Sequence, residues 1–146
     1  RITHIGSALT PAMERRALDE MSHNDRYRWI GETSNWKARQ LLARSRLMVL
    51  SSKMEGGANV VSEAIAASVP ILASRIPGSI GLLGENYPGY FDVGSTKQLT
   101  SLMTRFETDA DFHELLCAHV KRLAPQFTPE REQSALGQLI DDVLQD

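Results

Sequence analysis

Two short apolar runs that enclose one helical pattern constrain the fold of this chain more than any other feature. The run "RLMVL" (residues 46–50) is too short for a normal helix and predicts a buried parallel strand. After a glycine-containing loop, Asn59 caps a predicted helix over residues 60–68. Pro70 ends that helix, and "ILAS" (residues 71–74) predicts the next strand. Strands that alternate with helices indicate an α/β fold with a parallel sheet and right-handed crossovers.

The same alternation continues on both sides of this unit. Thr10 and Pro11 mark the start of one helix as N-cap and first helical residue, a position that suits the restricted φ of proline. The Gly/Pro-rich stretch over residues 75–90 predicts a long loop. The other predicted elements are strands over residues 2–5, 27–31 and 90–91, and helices over 36–44, 96–106, 110–123 and 129–144, the last capped by Thr128. Together they predict a doubly wound parallel sheet followed by C-terminal helices.

Composition excludes several classes of function. The 146 residues carry a net charge of −2, which gives no reason to expect a nucleic-acid groove or an anionic membrane partner. A single cysteine, Cys117, excludes an internal disulfide and fits a reducing compartment. No apolar run approaches the roughly 20 residues that span a bilayer, and the N-terminal stretch has no signal-peptide pattern. We therefore expect a cytoplasmic protein.

The loop between the two apolar runs predicts an anion site. Ligands of such sheets sit outside the carboxyl ends of the strands, where this loop lies. Gly56 and Gly57 allow a ligand close to the backbone. The amides at the helix N-terminus, and the positive end of its dipole, are suited to a diphosphate. The amides expected to hold it are those of Ala58, Asn59, Val60 and Val61.

Two carboxylates flank this predicted cradle. Glu55 precedes it and Glu63 lies about one turn into the helix. Carboxylates accept hydrogen bonds from vicinal sugar hydroxyls, as the acidic residue on the ribose does in dinucleotide folds. The pattern favours a nucleotide-sugar site, with one glutamate for the ribose and one for the sugar. The alternative is a solvated Glu55, with Glu63 stabilising only the helix dipole.

Other polar residues have simpler interpretations. Asp109 and Asp111 form a D-x-D sequence, but their position predicts an N-cap with a first-turn charge. The four histidines show no metal-ligand spacing, so we expect no metal site, and Cys117 is expected in the core. Four apolar or aromatic residues could line a sugar pocket or simply pack beneath the long loop: Leu82, Leu83, Tyr87 and Tyr90.

Residues 51–74, "SSKMEGGANVVSEAIAASVPILAS", resemble the C-terminal domain of the retaining GT-B glycosyltransferases of family 4. The family form is S-x-x-E-G-x-x-x-x-x-x-E-A-x-A-x-G-x-P-V-x-A-S, with two glutamates separated by seven residues. "YRWIG", "ARSRLMVLSS" and "DVGSTKQLTSLM" extend the resemblance to about residues 2–107. The motifs "EGGANVVSEAI" and "GENYPGYF" also resemble a bacterial subgroup associated with selenosugar synthesis.

The resemblance implies a three-layer Rossmann-like fold, half of a GT-B enzyme, that binds a nucleotide-sugar without a metal or other cofactor. It implies that Glu55 contacts the transferred sugar near the reacting centre and that Glu63 contacts the ribose. It also matches residues 2–5 with the second strand of the family domain. We therefore expect residues 1–146 to be a fragment that lacks the first strand, its basic pair and the acceptor domain, and to be inactive alone.

The chain departs from the family form at two places. Ser68 stands where the family has glycine, and "E-G-G-A" stands for "E-G-F-G". Two other functions remain open. One is a nucleotide-sugar or phosphosugar binding module without transfer activity, and the other is an epimerase-like domain.

Overall fold

The computed structural model describes residues 1–55 and 59–128, and beyond them residues 131, 133, 134, 137, 138 and 140. It divides into two compact units, residues 1–41 and residues 42–146. Each unit contains its own group of parallel strands, two in the first and three in the second. The predicted combination of parallel strands and intervening helices is confirmed.

The first unit contains a βαβ arrangement. Its elements are strand β1 (Ile2–His4), helix α1 (Pro11–His23), strand β2 (Tyr27–Trp29) and the larger part of helix α2 (Asn35–Ala43). Strands β1 and β2 pair in parallel, with Ile2 opposite Tyr27. Pro11 opens α1, and the Thr10 hydroxyl accepts a hydrogen bond from the Met13 amide (3.2 Å). The predicted N-cap is confirmed.

The second unit is built on a three-stranded parallel sheet. Its elements are β3 (Met48–Leu50), α3 (Asn59–Ala66), β4 (Ile71–Ser74), α4 (Pro77–Leu83), β5 (Tyr90–Phe91), α5 (Thr96–Thr108), α6 (Ala110–Leu123) and a 3₁₀ turn (Ala124–Gln126). The strand order is β3-β4-β5, so β4 is central. Met48 pairs with Ile71, and Ala73 pairs with Tyr90.

The hydrophobic core lies around β4. All four residues of this strand are buried, which explains its continuous apolar pattern. Helix α3 contributes its apolar stripe and α6 contributes residues spaced by four along one face. The core residues from these two helices are Val61, Ala64, Ile65, Phe112, Leu116 and Val120. The sequence predicts one inward face of the helix after the glycine loop, formed by Val61, Ala64, Ile65 and Ser68. The first three are buried in α3, whereas Ser68 is half-buried and lies beyond the helix end.

The prediction of a long loop over residues 75–90 is wrong. Helix α4 occupies Pro77–Leu83, with Pro77 in its first turn and Gly84 at its C-cap. Ser79 and Leu83 are buried on its inner side. The helix has no side-chain N-cap hydrogen bond. Its stability therefore comes from tertiary packing, which a local pattern rich in glycine and proline does not reveal.

Helix α3 ends earlier than predicted. Its last residue is Ala66, and Ser68 has a φ of +55°. The Val69 amide donates to Ala64 O (2.8 Å) and the Ser68 amide donates to Ile65 O (2.9 Å). This is the Schellman hydrogen-bond pattern, with Ser68 at the left-handed position that glycine usually occupies. The serine-for-glycine departure in the sequence thus falls on a backbone position that disfavours a Cβ.

The C-terminal part begins as expected. Asp109 caps α6 by accepting a hydrogen bond from the Phe112 amide (2.9 Å). The Thr128 hydroxyl accepts one from the Arg131 amide (3.3 Å), which agrees with its predicted role as a cap. The rest of the helix predicted over 129–144 lies largely outside the described residues. Within the described part of the chain, no helix is both long and apolar enough to cross a membrane.

Candidate functional site

The candidate site lies at the carboxyl end of the sheet formed by β3, β4 and β5. Because β3 and β4 run in parallel, the residues that follow them emerge at the same edge. Ser51 to Glu55 follow β3, and Arg75 follows β4. The loop after β3 and the connection after β4 therefore begin at the same edge of the sheet.

Glu55 is held by a hydrogen bond within its own loop. Its side chain is half-buried, and Oε1 accepts a hydrogen bond from Ser52 Oγ (2.7 Å). Ser52 is in turn linked to β4, because Ser74 Oγ donates to the Ser52 carbonyl (2.5 Å) and lies 3.4 Å from the Leu50 carbonyl. Ser74 is completely buried. The carboxylate is thus connected to the centre of the sheet through two serines.

The backbone of Glu55 is also in close contact with helix α4. A Cβ atom added to Gly78 would lie 2.8 Å from the Glu55 carbonyl oxygen and 3.5 Å from Glu55 Cβ. Only glycine fits at position 78 without a shift of one backbone relative to the other. The first turn of α4 and the loop after β3 are therefore packed backbone to backbone at Glu55.

The second predicted carboxylate, Glu63, lies in α3. Glu63 is the fifth residue of this helix. It is half-buried and precedes the buried Ala64. Asn59 and Val60 begin the helix and are exposed, whereas Val61 is buried. The predicted cradle residues Gly56, Gly57 and Ala58 lie outside the described residues. The described part therefore places the helix start and Glu63, and the distance between the two glutamates stays a prediction.

The four residues that could line a sugar pocket lie in the hydrophobic core or pack against it. Leu83 and Tyr87 are buried, and Leu82 packs against the same cluster. The single Oη proton of Tyr90 is shared between the carbonyls of Ser79 (3.1 Å) and Gly84 (3.0 Å). Burial raises the pKa of Tyr90 to about 12, although the nearby Arg75 opposes this shift. These contacts favour the packing interpretation.

The described residues provide no constellation of histidine, cysteine or carboxylate side chains for a metal ion. Asp109 is an N-cap and forms an ion pair with Arg105 (2.8 Å), as expected for a D-x-D sequence that opens a helix. Cys117 is only half-buried, 3.8 Å from His113 Nε2, so its expected place in the core is only partly reached.

Ser52, Ser74 and Gly78 were not singled out by the sequence pattern. For Ser52 a signal existed, since it stands three residues before Glu55, as the serine does in the S-x-x-E-G form. For Ser74 and Gly78 no local signal existed. Ser74 ends β4 and Gly78 lies in α4, and they contact the loop after β3 over sequence separations of 22 and 23 residues (74 − 52 and 78 − 55).

Two curated relatives are similar to this chain in sequence. N-acetyl-alpha-D-glucosaminyl L-malate synthase of Bacillus anthracis is 29% identical over 124 residues, which are 84% of this chain and 32% of that protein. The putative teichuronic acid biosynthesis glycosyltransferase TuaC of Bacillus subtilis (strain 168) is 32% identical over 77 residues, 53% of this chain and 20% of that protein. The chain therefore spans at most about a third of the relatives it matches.

Solved structures share the fold. Anabaena Alr3699/HepE in complex with UDP and glucose superimposes with a TM-score of 0.74 at 18% identity, over 93% of this chain and 39% of that chain. The pneumococcal O-GlcNAc transferase GtfA in complex with UDP and GlcNAc gives 0.78 at 16% identity, over 99% of this chain and 29% of that chain. The Rossmann-like α/β fold that the sequence predicted is confirmed.

The sequence profile of the family described as "Glycosyl transferases group 1" matches residues 5–122. This range contains β3, the loop with Glu55, α3 and β4, together with the helices that pack around them. The chain belongs to the group 1 glycosyl transferases.

Proposed function

We propose that this chain is the nucleotide-sugar donor-binding domain of a retaining glycosyltransferase that needs no metal ion or other cofactor. The observation that carries this proposal is the arrangement after β3, where the anchored carboxylate of Glu55 precedes the start of α3. The membership of the group 1 family supports transfer from an activated sugar. UDP is the first nucleotide to test, because it is present in structures that share the fold.

The proposed roles follow the chemistry of each group. The amides of Ala58, Asn59, Val60 and Val61 would hold the diphosphate, at the positive end of the α3 dipole. Gly56 and Gly57 would let it approach the backbone. The Glu63 carboxylate would accept hydrogen bonds from the ribose hydroxyls. The amides and the dipole would also stabilise charge that develops on the leaving diphosphate.

Glu55 would act on the sugar. Its carboxylate would accept hydrogen bonds from sugar hydroxyls beside the reacting carbon, so that the bond to the diphosphate breaks while the acceptor approaches from the same face. The acceptor would be held by a second domain of the same protein, because this chain spans 32% and 20% of the two curated relatives. The isolated chain would then bind donors without transferring sugar. We keep the cytoplasm as the expected compartment.

Calorimetric titration of the chain with UDP, GDP and ADP tests the proposed cradle. Glu63→Gln should weaken the binding of nucleotide and nucleotide-sugar alike, by about ten- to hundredfold, because hydrogen bonds to charged groups are worth about 1.5–3 kcal/mol. Glu55→Gln should leave bare nucleotide affinity unchanged and weaken only the nucleotide-sugar. Glu114→Gln, the same change on the exposed face of α6, is the control. Equal losses in both site variants would mean that the roles are misassigned.

Transfer is tested in the full-length protein. A sugar product with the anomeric configuration of the donor supports retention, and an inverted product contradicts it. The acceptor panel should include a selenium nucleophile, given the resemblance to the selenosugar-associated subgroup. Binding without transfer to any acceptor would favour the binding module, whereas inversion of a sugar hydroxyl without transfer would favour the epimerase-like domain.

A further inference from the structure

Glu55 has a side chain that needs to be held in order to act on a sugar. A glutamate side chain loses rotamer freedom, and therefore entropy, when it is fixed. The hydrogen bond from Ser52 Oγ to Oε1 (2.7 Å) fixes part of it before any ligand arrives. A carboxylate has about four acceptor positions, so this one bond leaves acceptor capacity for sugar hydroxyls.

Ser52 is itself held from β4. Ser74 is the last residue of this central strand and is completely buried. Its hydroxyl donates to the Ser52 carbonyl (2.5 Å), so the position of the Ser52 backbone follows the position of β4. The main chain of β4 is paired with strands on both sides. The connection from sheet to carboxylate therefore runs from Ser74 through Ser52 to Glu55.

The Glu55 backbone also contacts α4. The 2.8 Å approach of a Cβ at Gly78 to the Glu55 carbonyl oxygen leaves no room for a larger residue. The Glu55 backbone therefore cannot move toward α4, while the link from Ser74 restrains Ser52 three residues earlier. These two restraints act on the same short loop from different elements.

We propose that Ser52 and Ser74 are positioning residues that hold the Glu55 carboxylate in its working conformation, with Gly78 of α4 as a close contact of the Glu55 backbone. The proposal rests on the proposed function for its catalytic consequence. Its structural content, the conformation of Glu55 in the free protein, does not depend on the identity of the ligand.

The test uses the full-length protein with Ser52→Ala and Ser52→Thr. In crystal structures of the free proteins, Glu55 should occupy one side-chain conformation in the wild type and in Ser52→Thr, and several in Ser52→Ala. With nucleotide-sugar, Ser52→Ala should lower kcat about ten- to hundredfold, the range of a charged hydrogen bond. Its affinity for the bare nucleoside diphosphate should be unchanged, and Ser52→Thr should restore most of kcat because it keeps the hydroxyl.

Ser74→Ala should also lower kcat. If the Ser74→Ala variant does not fold, Ser74→Cys is measured in its place, because cysteine is close to serine in size. Ser95→Ala is the control for lost stability, since it removes the N-cap of α5. A single Glu55 conformation in Ser52→Ala, or an unchanged kcat, would overturn the proposal. If even the wild type neither binds nor transfers a sugar, the proposed function fails, and the Glu55 conformations alone then support or overturn the positioning.

Discussion

The Tyr87 hydroxyl takes the place of a strand neighbour for Ile71. It donates to the Ile71 carbonyl (2.6 Å) and accepts a hydrogen bond from the Ile71 amide (3.2 Å). Pairing between β4 and β5 begins only at Ala73 and Tyr90. The backbone of Ile71 therefore lies before the start of β5, and a buried side chain satisfies both of its polar groups. The Tyr87 hydroxyl therefore provides the hydrogen bonds that a β5 residue would otherwise make with Ile71.

Tyr87→Phe should be strongly destabilising. It leaves the buried Ile71 amide and carbonyl without this partner, and an unsatisfied buried group costs about 1–3 kcal/mol. We expect a loss of about 2–4 kcal/mol, measured by urea unfolding. Tyr90→Phe, whose hydroxyl is partly exposed, should cost about 1 kcal/mol. Similar small losses in both variants would contradict the role of Tyr87.

Gly89→Ala should also destabilise the protein, because a Cβ there would lie 2.5 Å from the Ile71 carbonyl oxygen and 2.7 Å from the Tyr87 ring. Backbone must move to make room, and we expect a cost of about 2 kcal/mol or more. Gly81→Ala is the matched control. Its Cβ meets nothing within 4 Å and lies inside α4, so it should stabilise by about 0.5–1 kcal/mol. Thermal unfolding of the two variants gives the comparison.

Ser68→Gly should stabilise the end of α3. The left-handed conformation, with φ of +55°, costs a residue with a Cβ about 1–2 kcal/mol. Part of this gain is lost to the greater freedom of glycine in the unfolded chain, so we expect about 0.5–1 kcal/mol. Ser62→Gly, the same change inside α3, should instead destabilise by about 0.5 kcal/mol. The opposite signs are measured by chemical denaturation, and equal signs would contradict the assignment of Ser68 as the left-handed residue of the Schellman motif.

Asp109 makes stability depend on pH. Its hydrogen bond from the Phe112 amide, and then its contact with Arg105, hold the pKa of this carboxyl below its usual value. A lowered folded-state pKa contributes stability that is present above the unfolded value of about 3.9 and is lost as pH falls through the folded one. Asp109→Asn keeps a cap but no charge. The stability difference between the two proteins should shrink as pH falls from 7 toward about 2, and a constant difference would exclude the ionised cap.

Chelator should leave nucleotide-sugar binding unchanged. Among residues 1–55 and 59–128 no set of side chains forms a metal site, and the D-x-D sequence serves as a helix cap. Titration with and without EDTA, followed by added magnesium or manganese, measures this. A strict requirement for either ion would contradict the metal-independent mechanism and direct attention to Asp109 and Asp111.

Local chemistry was sufficient for the elements whose signals are contained in a few consecutive residues. The N-caps Thr10 and Asp109 fall where the sequence placed them, because a cap bonds to amides only two or three residues away. The apolar run of β4 was predictable because a central parallel strand is buried on both faces. Glu55 and Glu63 were singled out from their spacing around a strand, a loop and a helix, and their roles in a site stay a prediction.

Long-range packing decided the rest. Helix α4 has seven residues, two of them glycines, and no side-chain cap, so its local propensity is weak. The burial of Ser79 and Leu83 therefore stabilises it. Ser74 and Gly78 contact the loop of Glu55 at one edge of the sheet. No local sequence pattern predicts these contacts, because the residues are far apart in the chain. By itself the sequence determined the elements whose signals are local, but not α4, and it singled out the two glutamates as candidates. Tertiary structure alone decided how Glu55 is held, because that depends on contacts between residues more than twenty positions apart.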